Sequence, residues 1–233
     1  MRELANSVLR EIATLLRHGL PTTTLHSPRL LWSRWAMVVA LMFAGALTVN
    51  VVTERLGFAR QMIYMGAASN GVGWRDWIMA CLLAPVMEEL IFRSGLRYAL
   101  MAILTVWGVA LLFAWNSAWR GPLLGVWVVL SVVALLPLLK RRRRKKLLPR
   151  IDRILVRHRV LWVHLSTVAF AAIHLFNWRG MSGLPVGAVA LVMPQLLVGY
   201  GLAYLCIRMG LRWSMLAHAA FNGFALGLAS LAE

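Results

Sequence analysis

The sequence predicts an all-α fold: a polytopic membrane bundle of about seven transmembrane helices, six to eight at the limits, with a cytoplasmic N-terminus. Three observations carry this reading. Apolar residues make up 61% of the 233 and charged residues only 14%, against roughly a quarter charged in ordinary soluble domains. Mean hydropathy is +0.72. Charge-free apolar runs of about the 20 residues needed to cross a bilayer recur along the chain. The chain holds 25 Lys+Arg against 8 Asp+Glu, and the basic residues concentrate in alternate connections. This composition excludes a disordered chain, a disulfide scaffold and a water-soluble globule. The positive-inside bias also accounts for the formal charge of +17 without nucleic acid.

The elements follow in order. Residues 1–34 form an N-terminal interfacial segment. Leu4, Val8, Ile12, Leu15 and Leu16 fall on one face of a helix, with Arg10 and Arg17 among the polar positions. That pattern suits a helix in the headgroup plane or one packed on the loops. Residues 35–75 hold the first crossing, 35–53, and an outer loop whose 56–74 part reads as loop or partial helix. Residues 76–233 form the core. There the run 77–87 flows into Glu88-Glu89 and on to Arg93, as a helix carrying its charges inside. Further runs cover 98–119, 121–139, 160–178, 180–207 and 213–232. The first two of these form an inserted helix pair. With the basic linker that follows, the insertion spans about 100–159.

Lys140-Arg141-Arg142-Arg143-Arg144-Lys145-Lys146 reads as a cytoplasmic anchor for anionic lipid. With the N-terminus inside, the outer loops hold only Arg55, Arg60, Arg75, Arg120 and Arg179 of the basic residues. Cys81 and Cys206 have no metal spacing. No cleavable signal peptide is expected.

Ionisable side chains inside apolar helices are the candidate functional residues. Glu89 and Arg93 are i,i+4, in the favoured acid-before-base order. Glu88 points about 100° away. This spacing assigns Glu89 to Arg93 and leaves Glu88 free to handle protons, although an ion-pair cluster joining helices would read the same. His174 lies in 160–178, and His164 on the same helix suits an interhelical hydrogen bond. His218 and Asn222 are i,i+4 and share a face. At 1.5 Å per residue, Glu88, His218 and Asn222 lie roughly 15–20 Å from their outer helix ends, and His174 only about 6 Å.

A carboxylate beside histidines supports water activation in two forms. In one, Glu88 is a general base assisted by His174, while His218 and Asn222 donate to the oxyanion. In the other, Glu88, His174 and His218 hold Zn²⁺ with an open water position. No H-E-x-x-H string is present.

These residues also carry a resemblance. Glu88-Glu89-Leu90-Ile91-Phe92-Arg93 resembles the E-E-x-x-x-R motif of the CAAX-prenyl endopeptidase and bacteriocin-processing (CPBP, or Abi) intramembrane proteases. Phe170-Ala171-Ala172-Ile173-His174 resembles their F-x-x-x-H motif, and His218-Ala219-Ala220-Phe221-Asn222 their H-x-x-x-N motif. The resemblance covers 76–98 and 160–232. It implies Glu88 and His174 as water activators, His218 and Asn222 at the oxyanion, and Glu89 and Arg93 as supporting charges. It leaves zinc and a metal-free glutamate mechanism both open. It implies prenylated C-terminal tetrapeptides or leader peptides as substrates, in a prokaryotic inner (plasma) membrane. The chain departs from the family in the long Glu88–His174 interval, which holds the inserted pair and the basic block. Two added crossings keep the motif helices antiparallel.

Three rival readings have their own residues. Gly180-Met181-Ser182-Gly183 matches the rhomboid G-x-S-G string, but leaves Glu88, Glu89 and His174 without a role. Pro194-Gln195 interrupts a long apolar run as broken transporter helices do, without internal symmetry to match. A catalytically idle scaffold or immunity protein would need none of the polar set.

Overall fold

The computed structural model describes residues 2–19, 28–57, 63–64, 73–97, 101, 122, 125, 129, 149–151, 153–179 and 185–231. Among them are eight α-helices: α1 (Arg2–His18), α2 (Pro28–Arg55), α3 (Trp74–Ile78), α4 (Ala84–Phe92), α5 (Ser94–Arg97), α6 (Arg159–Ile173), α7 (Pro185–Met209) and α8 (Leu211–Leu231). The only strands among the described residues are two-residue pieces, Ile63–Tyr64 and Trp178–Arg179, paired antiparallel. Nearly all of the inserted apolar pair, the whole basic block 140–146 and most of 58–72 lie outside the described residues.

Helix α1 is amphipathic. Val8 and Leu15 are fully buried, and Leu4, Ile12 and Leu16 pack beside them. Glu3 in its first turn and Arg17 and His18 in its last complement the helix dipole. Gly19, at φ +72°, ends it by donating to the Leu15 carbonyl at 3.1 Å; the left-handed turn favours glycine. Helix α1 packs on α2, α6 and α7, so its apolar face is covered by the bundle.

Two helices among the described residues are long and apolar enough to cross a membrane, Pro28–Arg55 and Gly187–Met209. The core forms around the second of these. Helix α7 packs against α2, α6 and α8, and Leu202 through Ile207 are completely buried. Pro194 sits inside α7 without ending it. Gly201 lets α2 approach: a Cβ there would fall 2.6 Å from Met42 Cγ. After Met209 the chain reverses at Gly210, φ +111°. Arg97 Nη1 donates to the Cys206 and Ile207 carbonyls at 3.2 Å each, which satisfies acceptors that a helix end leaves open.

Two helices depart from regularity. Between α3 and α4, Met79–Leu83 forms one wide turn of i→i+5 type. At the end of α6 the chain tightens into a 3₁₀ turn, His174–Asn177. The sequence expectation of one helix through 160–178 is corrected here: α6 stops at Ile173, and Trp178 joins the short pairing. Helix ends commonly tighten this way. Both irregularities position site residues.

Candidate active site

Helix α4 carries Glu88, Glu89 and, just past its end, Arg93. Glu89 and Arg93 are completely buried. Arg93 Nε stands 3.9 Å from Glu89 Oε1. The guanidinium carbon lies 4.0 Å from the centre of the Phe170 ring, a cation–π arrangement that offsets part of its desolvation. Arg93 Nη2 also reaches the Gly199 carbonyl at 3.4 Å. That approach needs a glycine. A Cβ at 199 would fall 2.8 Å from Thr167 Cγ2 and 3.1 Å from Arg93 Nη2.

Glu89 has further partners. His218 Nδ1 lies 3.1 Å from Glu89 Oε1, and the Ser214 hydroxyl is hydrogen-bonded to Oε2. A carboxylate facing Nδ1 makes that nitrogen the protonated one. The other edge of the ring then faces Glu88: His218 Nε2 is 3.7 Å from Glu88 Oε2. This exceeds hydrogen-bond length, and Glu88 Oε2 has no hydrogen-bond partner among the described residues. His218 therefore stands between two carboxylates, held by one and facing the free oxygen of the other.

His174 is placed by the tightened turn. In a regular helix its backbone N–H would bond to the Phe170 carbonyl, four residues back. Here that N–H reaches Ala171 and Ala172 instead. The released Phe170 carbonyl accepts from His174 Nδ1 at 2.8 Å. A carbonyl can only accept, so Nδ1 carries the proton and Nε2 keeps the lone pair in the neutral ring. Glu88 and His218 both lie within electrostatic reach of this ring. Phe170 packs edge-on to both imidazoles, with ring centres 4.8 Å from His174 and 5.5 Å from His218.

Asn222 is placed by the wide turn in the same way. The Ala84 N–H bonds to Met79, five residues back, rather than to Ala80. Pro85, the next candidate donor, has no N–H. The Ala80 carbonyl left over accepts from Asn222 Nδ2 at 2.8 Å. One hydrogen of the carboxamide is thus committed, and a second remains.

The site joins α4, α6 and α8 around Phe170. The family description "Type II CAAX prenyl endopeptidase Rce1-like" matches residues 69–224. The chain belongs to this family. The Rce1-like region takes in all six residues singled out from the sequence and leaves α1 and α2 outside. No curated relative and no solved structure matches the chain. Membership makes the protein a membrane-embedded protease of CAAX type, with a peptide or protein as substrate.

Sequence reasoning missed two residues of this Rce1-like site. Ser214 is four residues before His218 and eight before Asn222, so helical spacing alone puts all three on one face. The signal was present, but a serine in an apolar helix reads as ordinary interhelical glue. Gly199 carried no signal of its own; only the approach of Arg93 shows its use. His164 bonds Tyr200 at 2.9 Å and the Leu16 carbonyl at 3.1 Å, joining α6 to α7 and α1 away from the site. Ser182 lies outside the described residues.

Proposed function

We propose that this protease cleaves membrane-associated peptides with a water activated by Glu88 and His174. Prenylated C-termini and leader peptides are the substrate classes, and a prokaryotic inner membrane is the setting. One observation carries the reading. Glu89 commits His218 through Nδ1, while the opposite ring edge faces a Glu88 oxygen that has no hydrogen-bond partner among the described residues. An unengaged carboxylate oxygen beside oriented imidazoles is the arrangement that general-base hydrolysis needs.

The steps follow from these atoms. Glu88 Oε2 takes a proton from a water that the lone pair of His174 Nε2 orients. The water oxygen bonds to the peptide carbonyl carbon, and the carbonyl becomes an oxyanion. Asn222 donates its second carboxamide hydrogen there, and His218 donates from Nε2 in its protonated form. Glu88 then returns the proton to the departing amine as the C–N bond breaks. Glu89 and Arg93 keep the buried charge balanced. The basic block 140–146 holds the cytoplasmic side against anionic lipid.

Zinc on Glu88, His174 and His218 would supply water activation by Lewis acidity. Among the described residues no three His, Cys, Asp or Glu side chains gather closely enough to hold an ion. This spacing favours the metal-free form, and no step is routed through a metal. Metal content and chelator sensitivity of the purified protein test this. Stoichiometric zinc that is lost in His218→Ala would defeat the metal-free form.

Co-expression with a candidate substrate tests the whole reading. Glu88→Ala, His174→Ala and His218→Ala should each stop processing, and Ser182→Ala should not. Processing that survives Glu88→Ala would end it. Loss with Ser182→Ala alone would favour rhomboid-type chemistry. Reporter fusions after Lys146 and Glu233 should report opposite sides of the membrane.

A further inference from the structure

Glu89 is contested by two groups. His218 Nδ1 holds Oε1 at 3.1 Å, and Arg93 Nε approaches the same oxygen at 3.9 Å. Arg93 is not saturated: its Nε and Nη1 have no hydrogen-bond partner among the described residues. A guanidinium with unused donors pairs with a carboxylate through two parallel bonds where geometry allows. Left to itself, the Glu89 carboxylate gains by turning both oxygens toward Arg93. That turn would draw Oε1 away from His218.

Ser214 opposes the turn. Its side chain is completely buried. Its oxygen is hydrogen-bonded to Glu89 Oε2 and lies 2.9 Å from the Leu202 carbonyl. The Leu202 carbonyl and the carboxylate can only accept, and the hydroxyl has one hydrogen, so its bond to Glu89 leaves Leu202 as a packing contact; the serine is fixed by the packing of α8 on α7. The hydroxyl therefore pins the carboxylate oxygen that Arg93 would otherwise capture. We propose that Ser214 is a positioning residue: it keeps Glu89 on His218 rather than on Arg93, and so sets which edge of His218 faces Glu88. The inference rests on the reading of Glu88 and His218 as reacting groups, but the placement of the imidazole can be measured without a substrate.

The test uses the full-length protein in detergent with ¹⁵N-labelled histidine. The His218 signal is identified by its loss in His218→Gln. In the native protein Nδ1 should read as protonated and hydrogen-bonded. Ser214→Ala should abolish that signature, leaving the proton exchanging between the two ring nitrogens. Ser214→Thr, which keeps the hydroxyl, should restore it. With a farnesylated CAAX-type reporter peptide, Ser214→Ala should lower kcat about tenfold, as expected for a misplaced oxyanion donor. KM should stay within about twofold, since uniform binding is untouched. Should Ser214→Ala fail to accumulate, Ser214→Cys, with its weak donor, takes its place. An unchanged Nδ1 signal in Ser214→Ala or Ser214→Cys would overturn the proposal and leave Ser214 as packing between α7 and α8. Reporter cleavage by Glu88→Gln would instead sink the reading of the active site, and the imidazole measurement would still decide Ser214.

Discussion

The described residues include two clusters of buried or half-buried charge, and they are built differently. The first joins α1, α2 and α7. Glu11 accepts from Arg34 at 2.5 Å, from Tyr204 at 3.0 Å and from Arg208 at 3.0 Å. Both of its oxygens are engaged. The second joins α4, α6 and α8. There Glu89 is likewise engaged, but its neighbour Glu88 keeps an oxygen without a hydrogen bond among the described residues. A carboxylate whose every oxygen is bonded stabilises a junction; one left open inside apolar helices is costly unless chemistry uses it. The comparison separates a clamp from the proposed reactive centre, although both are sets of acids and arginines in apolar surroundings.

The largest effect should come from Glu88. Glu88→Gln removes the base and should lower turnover by about 10²–10⁴-fold, with thermal stability close to native. Cleavage rate and melting temperature, measured on the same preparation, check this. A large loss of stability without loss of activity would put Glu88 in the same class as Glu11.

Arg93→Leu should act in the opposite sense. It strands Glu89 as a buried, uncompensated charge, which costs about 3–5 kcal/mol. The expected result is poor accumulation in the membrane and a lowered melting temperature. A stable Arg93→Leu protein would show that Ser214 and His218 alone satisfy Glu89.

Gly199→Ala is milder. Its Cβ would press Thr167 and Arg93, and overpacking of this kind costs about 1–3 kcal/mol. Activity should fall along with stability, because Arg93 shares Glu89 with His218. Gly201→Ala, whose Cβ meets only Met42 and Val38, should lose stability without a matching loss of turnover per folded molecule. Denaturation curves with active-site-normalised rates separate the two.

The smallest effect concerns the clamp and pH. Burial raises the Glu11 pKa, but the Arg34 hydrogen bond and the Arg208 and Arg34 charges outweigh it, so its carboxyl sits below the ordinary glutamate value. A lowered native pKa contributes stability that is fully present above the unfolded value. That stability is lost as pH falls through the native one. Protection of α1 from proteolysis should therefore weaken on acidification. Glu11→Gln should weaken it by roughly 1 kcal/mol at neutral pH and remove the acid-dependent step. Unchanged acid sensitivity in Glu11→Gln would assign the effect to another group.

The two clusters were not equally legible. Glu88, Glu89 and Arg93 announce themselves because acids are scarce and these two lie in an apolar run. Glu11 does not, because an acid on an amphipathic helix reads as a solvated face. The face of α1 itself was readable from Leu4, Val8, Ile12, Leu15 and Leu16; that the bundle would cover it was one of two options. The sequence puts His174 inside a helix running on to 178, near its outer end; the structure ends that helix at Ile173 and sets His174 in the tightened turn. A tightened last turn has no strong composition signal, and its carbonyl exchange with Phe170 is visible only in three dimensions.

By itself the sequence determined the helical membrane class, the membership-bearing motifs and the set of candidate reacting side chains. These are properties of local composition and of spacing along one helix, and local order needs no partner to be stated. Tertiary structure alone decided which atoms meet: His218 Nδ1 on Glu89, its Nε2 facing Glu88, Asn222 on the Ala80 carbonyl, and the Ser214 hydroxyl on Glu89. Glu89 and Ser214 are 125 residues apart in the chain. Which of their atoms meet depends on two irregular turns and on a glycine that lets helices close, and these are settled by packing.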